Sequence, residues 1–223
     1  SDQLFRIYTK DFGQIMVSAK GIRKLNSKLR GSVQIFYLSE VEFVQGRAYK
    51  TLTDAVLIEK FPGLRKNLLK LRLVYRFTEI FCSLVKNEAV DENLWRLLYR
   101  FFSELNQSDL SLDKALFFYY FFFWNLLDAL GYHPELYHCV FCRKKIASAE
   151  TFWRPDDGGL ICPSCLKRAA VRPQKINAQT VKVLRVFLSR GWPTARLLKA
   201  DPVVFQELKI ISRKYFHFVH EKR

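Results

Sequence analysis

No stretch of the 223 residues stays apolar for the roughly 18 positions that a membrane-spanning helix needs. The nearest approach, Ala115–Trp124 (ALFFYYFFFW), lies between Lys114 and Asn125 and has the length of a buried core helix. No positively charged, then apolar leader opens the chain. Neither G-x-x-x-x-G-K-[ST] nor G-x-S-x-G occurs, so neither a P-loop ATPase nor a serine nucleophile elbow is indicated. There is no internal repeat and no low-complexity linker. The cysteines are five, Cys82, Cys139, Cys142, Cys162 and Cys165. An odd count with two C-x-x-C pairs does not make a secreted disulfide framework, and the expected setting is a reducing cytoplasm. Acidic residues are also short, 21 against 37 Lys and Arg, for a net charge of +16. With 49% hydrophobic and 26% charged residues the composition is globular, enough for one or two domains. The charge excess points to a polyanionic partner, nucleic acid before membrane.

The charge is unevenly spread. Residues 1–60 carry ten Lys/Arg and six Asp/Glu, residues 61–138 nine of each, and residues 139–223 eighteen and six. Basic ends on a neutral, apolar middle suit a protein that holds nucleic acid at more than one place; the plainer alternative is solvated helix faces.

The first sixty residues read as strands: Leu4–Thr9, Gln14–Lys20, Val33–Gln45 and Ala48–Ile58, separated by turn-rich segments. Glu40 and Glu42 alternate with Val41 and Phe43, giving one wet and one buried face. Four such strands suggest a small barrel with unpaired edges, which a fifth strand upstream of Ser1 would help close. From Pro62 the period becomes helical. One long helix is expected to about Asn87, a second capped by Asp91, and a third from Ser111 to Gly131 carrying the aromatic run. That run is aromatic all round, so it is read as a core rather than a base-stacking platform. Asn177–Arg190 and Pro202–His220 read as two terminal amphipathic helices. The expected class is α+β: a barrel over 1–60, then a helical domain over 61–223 with an insert at about 136–170.

The insert holds C-x2-C-x19-C-x2-C, from Cys139 to Cys165. Each C-x-x-C turn aims two thiolates at one ion, and two turns complete a tetrahedral sulfur shell. Zn2+ is the expected ion. A closed shell leaves no position for water, so the zinc is read as structural. Phe152, Trp153 and the Asp156–Gly159 turn read as a hairpin inside the insert. A thioredoxin-like redox pair would need a βαβ context, which is absent. His138 adjoins the first pair but four Cys suffice, Cys82 reads as a small buried hydrophobe, and His217 and His220 need no special role. His133-Pro134-Glu135 ahead of a C-x-x-C is the outline of a zinc nucleobase deaminase. Against that, Ile161 rather than Pro precedes Cys162, and Cys139 and Cys142 would be idle.

Lys20, Arg23, Lys24, Lys28 and Arg30 crowd one polar segment, with no acid between Asp11 and Glu40. A cation-loaded loop between barrel strands is a natural contact for a phosphate backbone. Were all five to touch phosphates of single-stranded DNA, log K against log salt would slope by about −3.5.

Three pieces of the chain resemble the bacterial recombination mediator family RecO: Thr9-x-x-x-Gly13 followed by AKGIRKLNSKL at Ala19–Leu29; LLDALGYHP at Leu126–Pro134, directly before C-x-x-C; and the second C-x-x-C with two terminal helices. The resemblance implies an N-terminal OB-fold barrel and a helical domain with a zinc insert. It implies a non-enzymatic protein that binds single- and double-stranded DNA and anneals complementary strands. It also implies partnership with RecR and single-stranded-DNA-binding protein in loading RecA onto gaps, in a bacterial, nucleoid-associated setting. Carried over residue by residue, the DNA contacts fall on Lys20, Arg23, Lys24, Lys28 and Arg30, with Arg47 in the Gly46-Arg47 turn as a further candidate. Against the family's pattern, the first barrel strand, upstream of Ser1, and the last segment, beyond Arg223, are expected to be missing from this sequence. A protein-interaction scaffold with incidental DNA binding is the competing expectation.

Overall fold

In a computed structural model, residues 2–85, 90–107, 111–146, 151–168, 173–199 and 201–222 are described. The chain divides into two compact units, 1–109 and 110–223.

In the first unit β1 (Gln3–Thr9) and β2 (Gly13–Ala19) form an antiparallel hairpin. Its turn is closed by Thr9, whose Oγ1 accepts from the Phe12 N–H, and by Gly13 at φ +63°. β3 (Leu38–Val44) pairs antiparallel with β4 (Lys50–Glu59), and β4 pairs parallel with β2 through Val17–Lys50 and Ser18–Thr51. The order β1-β2-β4-β3 leaves β1 and β3 as edges. Alternation supplies the core: Ile15, Val17 and Ala19 of β2 point one way and pack with Leu52 and Ala55 of β4. This is the OB-fold part of the chain.

Two expectations need correcting. The strand read from Val33 begins at Leu38. Phe36 sits in the left-handed region at φ +65°, and its ring packs edge-on against Tyr75 and tilted on Phe102. Aromatic packing there outweighs the β-propensity of the flanking residues. The single helix expected from Pro62 is two: α1 (Pro62–Arg65) and α2 (Leu68–Leu84). Asn67 breaks them, its Oδ1 accepting from the N–H groups of Leu69 and Lys70 as a fresh N-cap. The expected end near Asn87 lies outside the described residues. α3 (Glu92–Gln107) begins as anticipated, with Asp91 Oδ1 accepting from Asn93 and Leu94. It stacks Phe101 on Phe77 of α2, ring centroids 4.0 Å apart.

The second unit is built on α4 (Leu112–Ala129). Every residue from Phe117 to Trp124 is buried, so the aromatic run is a core. Phe117 meets Phe187 of α5 (Ala178–Ser189) and Phe205 of α7 (Pro202–Glu221). Phe118 meets Trp192 at the head of the short α6 (Trp192–Ala195), a turn that the sequence reading passed over. The insert adds a small antiparallel sheet in the order β6-β5-β7, from β5 (Thr151–Arg154), β6 (Gly159–Ile161) and β7 (Gln174–Ile176). Among the described residues no helix is long and apolar enough to cross a membrane.

Candidate metal centre and nucleic-acid surface

The first C-x-x-C lies in a tight hairpin. The Arg143 N–H donates to the Cys139 carbonyl, the Cys139 N–H to the Lys144 carbonyl, and the Ile146 N–H to the Tyr137 carbonyl. Arg143 takes φ +60° to complete the turn. The second pair sits at the start of a 3-10 helix, Pro163–Arg168, with the Cys165 N–H donating to the Cys162 carbonyl. The two knuckles bring all four sulfurs within 4.8 Å of one another. A tetrahedral shell with metal–sulfur bonds of about 2.3 Å has sulfur–sulfur edges of about 3.8 Å; Cys142 Sγ and Cys162 Sγ are 3.7 Å apart. The four residues fit a metal ion.

Electrostatics agree with that fit. Burial opposes ionisation of Cys139, but N–H groups of Cys142, Cys162 and Phe141 donate to its sulfur and bring the thiol down to about 6. Cys165 is pushed the other way, to about 12, by burial and by the neighbouring cysteines, among them the Cys139 thiolate. Four thiols this close cannot all ionise on their own; a divalent cation removes the conflict.

Glu135 anchors the first knuckle. Its Oε1 accepts from the N–H groups of Tyr137 and His138, at 2.8 and 2.9 Å. Burial works against the carboxylate, yet these donors, with His138 and Arg143, hold it below its usual range. The residue singled out in the deaminase outline therefore has a structural task, and Cys139 and Cys142 share one cluster with Cys162 and Cys165. His138 is exposed on the rim, 3.7 Å from Glu135. Cys82 is half-buried on α2, and burial pushes its thiol up against the pull of Arg6.

The Glu135 backbone also touches Gly159. A Cβ there would lie 2.4 Å from the Glu135 carbonyl oxygen. Gly159→Ala is expected to cost about 1–3 kcal/mol and to lower the metal content of purified protein. A melting temperature within about 1 °C of the parent would show that the backbone gives way there.

On the barrel, Lys20, Arg23, Lys24, Lys28 and Arg30 are all exposed. They do not hang on a slack loop. Ile22 and Leu29, 3% and 7% exposed, are driven into the barrel core. Turns close between them, with Lys24 N–H to the Gly21 carbonyl and Ser27 N–H to the Lys24 carbonyl. A 3-10 helix, Lys28–Gly31, follows. The five cations are thus displayed from a pinned frame, and Ile22 and Leu29, the pins, were not singled out from sequence although they interrupt a polar run. Arg47 is exposed too, but the register separates it from the loop: the loop leaves β2 beyond Val17, whereas Arg47 precedes Lys50, the partner of Val17. At the β1–β2 turn an exposed ring, Phe12, meets Phe43 edge-on at 5.1 Å.

Residues 1–61 match the family described as recombination protein O N terminal, and residues 65–223 match recombination protein O C terminal. The chain belongs to the RecO family. It is 32% identical to the DNA repair protein RecO of Dehalococcoides mccartyi strain BAV1 over its whole length, covering 85% of that relative. It is 30% identical to the DNA repair protein RecO of Roseiflexus sp. strain RS-1, again along its full length, covering 76% of that protein. A RecO protein of Pelotomaculum thermopropionicum is 28% identical over 99% of this chain. Membership makes this a DNA repair protein, and the family's two halves coincide with the change from strands to helices near residue 61.

Proposed function

We propose that this RecO protein acts in recombinational repair by binding single- and double-stranded DNA and annealing complementary strands, without bond-making chemistry. The observation that carries this is the pinned barrel loop, which presents Lys20, Arg23, Lys24, Lys28 and Arg30 to solvent. Cations on a rigid frame neutralise phosphates of two strands, lower their repulsion and let bases meet. Arg47 is a further phosphate contact, at a different part of the barrel. The metal is zinc, held by Cys139, Cys142, Cys162 and Cys165; bound there it ties the two knuckles together and takes no part in a reaction. By resemblance, the working partners are RecR and single-stranded-DNA-binding protein, the outcome is RecA loading on gaps, and the site of action is the bacterial nucleoid. In this reading residues 1–60 are the DNA-binding domain and 61–223 the helical domain that carries the cysteine insert.

Anisotropy of a labelled single-stranded oligonucleotide, titrated at several salt concentrations, tests this. Steep salt dependence is expected, shallower by about 1.4 in Lys24→Ala/Lys28→Ala. Absence of binding at low salt would refute it and favour a protein scaffold.

A further inference from the structure

The two cysteine knuckles carry a second concentration of charge besides that of the barrel loop. Arg143, Lys144 and Lys145 leave the first knuckle; Lys167 and Arg168 leave the second; all five are exposed. The two runs belong to one surface. The Arg168 guanidinium lies over the ring of Phe141, which sits between Cys139 and Cys142, at 5.6 Å. The four cysteine sulfurs of the two knuckles lie within 4.8 Å of one another.

Among the described residues, the acids near this group are mostly engaged elsewhere. Asp156 and Asp157 both face Arg154, with Asp157 Oδ2 2.7 Å from its Nε. Arg154 is buried and needs that pairing. Glu135 feels the field of Arg143, but its Oε1 already accepts two backbone N–H groups. Among the described residues, none of the five cations is in an ion pair. Like charges held together on two neighbouring knuckles repel one another, and a polyanion relieves this by releasing its own counterions. Among the described residues, this surface also offers little that a folded protein partner would grip. Among the described residues, those exposed around the second knuckle are Pro163 and Ser164 beside the cations, and the insert's large exposed apolar side chain is Tyr137, under the Arg185 guanidinium. Charge without an apolar anchor fits a phosphate backbone better than a protein interface.

We propose that the two knuckles form a second nucleic-acid-binding surface, in which Arg143, Lys144, Lys145, Lys167 and Arg168 contact phosphates. It rests on the reading that the chain binds DNA, and it gives each compact unit its own strand contact.

The test uses the full chain in four forms: parent, Lys24→Ala/Lys28→Ala, Lys144→Ala/Lys145→Ala, and a quadruple variant adding Lys167→Ala and Arg168→Ala. Metal content and thermal melts confirm equal folding, and the milder knuckle pair stands in should the quadruple variant lose its metal. Single-stranded oligonucleotide binding is measured against salt, and annealing of complementary oligonucleotides is timed. The knuckle pair is expected to flatten the salt slope by about 1.4 and the quadruple variant by about 2.8. Both should slow annealing while the barrel cations are intact. Knuckle variants that bind and anneal like the parent, beside a barrel variant that loses slope, would overturn the inference and leave the proposed function standing. An unchanged DNA slope together with lost binding of poly-glutamate would also overturn it, in favour of an acidic protein partner. A parent that binds no DNA would refute the proposed function itself, and the inference with it.

Discussion

Removing the metal with a strong chelator under reducing conditions is expected to lower the melting temperature by about 10 °C or more. Structural metal sites supply folding free energy on the order of 10 kcal/mol in isolated modules, and about 1 kcal/mol moves the midpoint of a chain this size by 2–4 °C. The insert needs that help. Its sheet has strands of three or four residues, too short to stand alone. The effect should not stay local. Trp153 of β5 meets Trp124 of α4 at 5.9 Å, nearly perpendicular, and Tyr215 of α7 at 5.5 Å. Loosening the knuckles therefore disturbs three aromatic rings in the unit's core, and near-UV circular dichroism should collapse before far-UV helical signal does. Cys165→Ser should reproduce the loss. Verified metal-free protein with unaltered melting and near-UV signal would mean that packing alone holds the insert.

Trp124→Ala is expected to cost about 3–5 kcal/mol, as for other large buried aromatic side chains. The indole is fully buried, stacked on Tyr215 at 5.2 Å and edge-on to Trp153. The Tyr215 hydroxyl donates to the Tyr132 carbonyl, and burial, with Tyr132 nearby, pushes its phenol up to about 12. Emptying the Trp124 site thus removes the floor under a ring that is itself buried and tied. Trp124→Phe should cost much less. It keeps an aromatic ring and removes an indole N–H that has no hydrogen-bond partner among the described residues. Leu25→Ala is the control: that side chain is 87% exposed, and its loss should stay within about 0.5 kcal/mol. Chemical denaturation of the three variants orders them. A Phe variant as damaged as the Ala variant would show that ring shape, not volume, governs the site.

How much of this is legible in sequence depends on whether local signals or distant partners decide a residue's conformation. The two C-x-x-C pairs are legible because each knuckle is a local turn, and only their convergence is tertiary. The aromatic run on α4 is legible as a core because no orientation of that helix could keep it dry without neighbours. Asp91 as a cap is legible from its place before an apolar stripe. The break at Asn67 is less so, since the apolar spacing runs on through it and only the cap chemistry marks the restart. Phe36 is not legible at all. Its left-handed backbone is held by Tyr75 and Phe102, far along the chain, inside a segment whose residues favour strand. β7 escapes for a related reason: three residues show no period, and the pairing with β5 alone defines them. Among the binding residues, charge marks the barrel loop, while the pins Ile22 and Leu29 become visible only when the barrel core is seen around them.

The path of the insert has a bearing on how such chains diversify. It departs after α4 and returns at α5, and those two helices already touch through Phe117, Phe121 and Phe187, and through Asn125, which donates to the Phe187 carbonyl. A lineage could therefore shorten or delete the excursion without rerouting the helices. What it could not delete freely is Trp153. Any descendant without the knuckles must fill the space beside Trp124 and Tyr215 by other means, so loss of the four cysteines and a bulkier residue near those two rings should arise together.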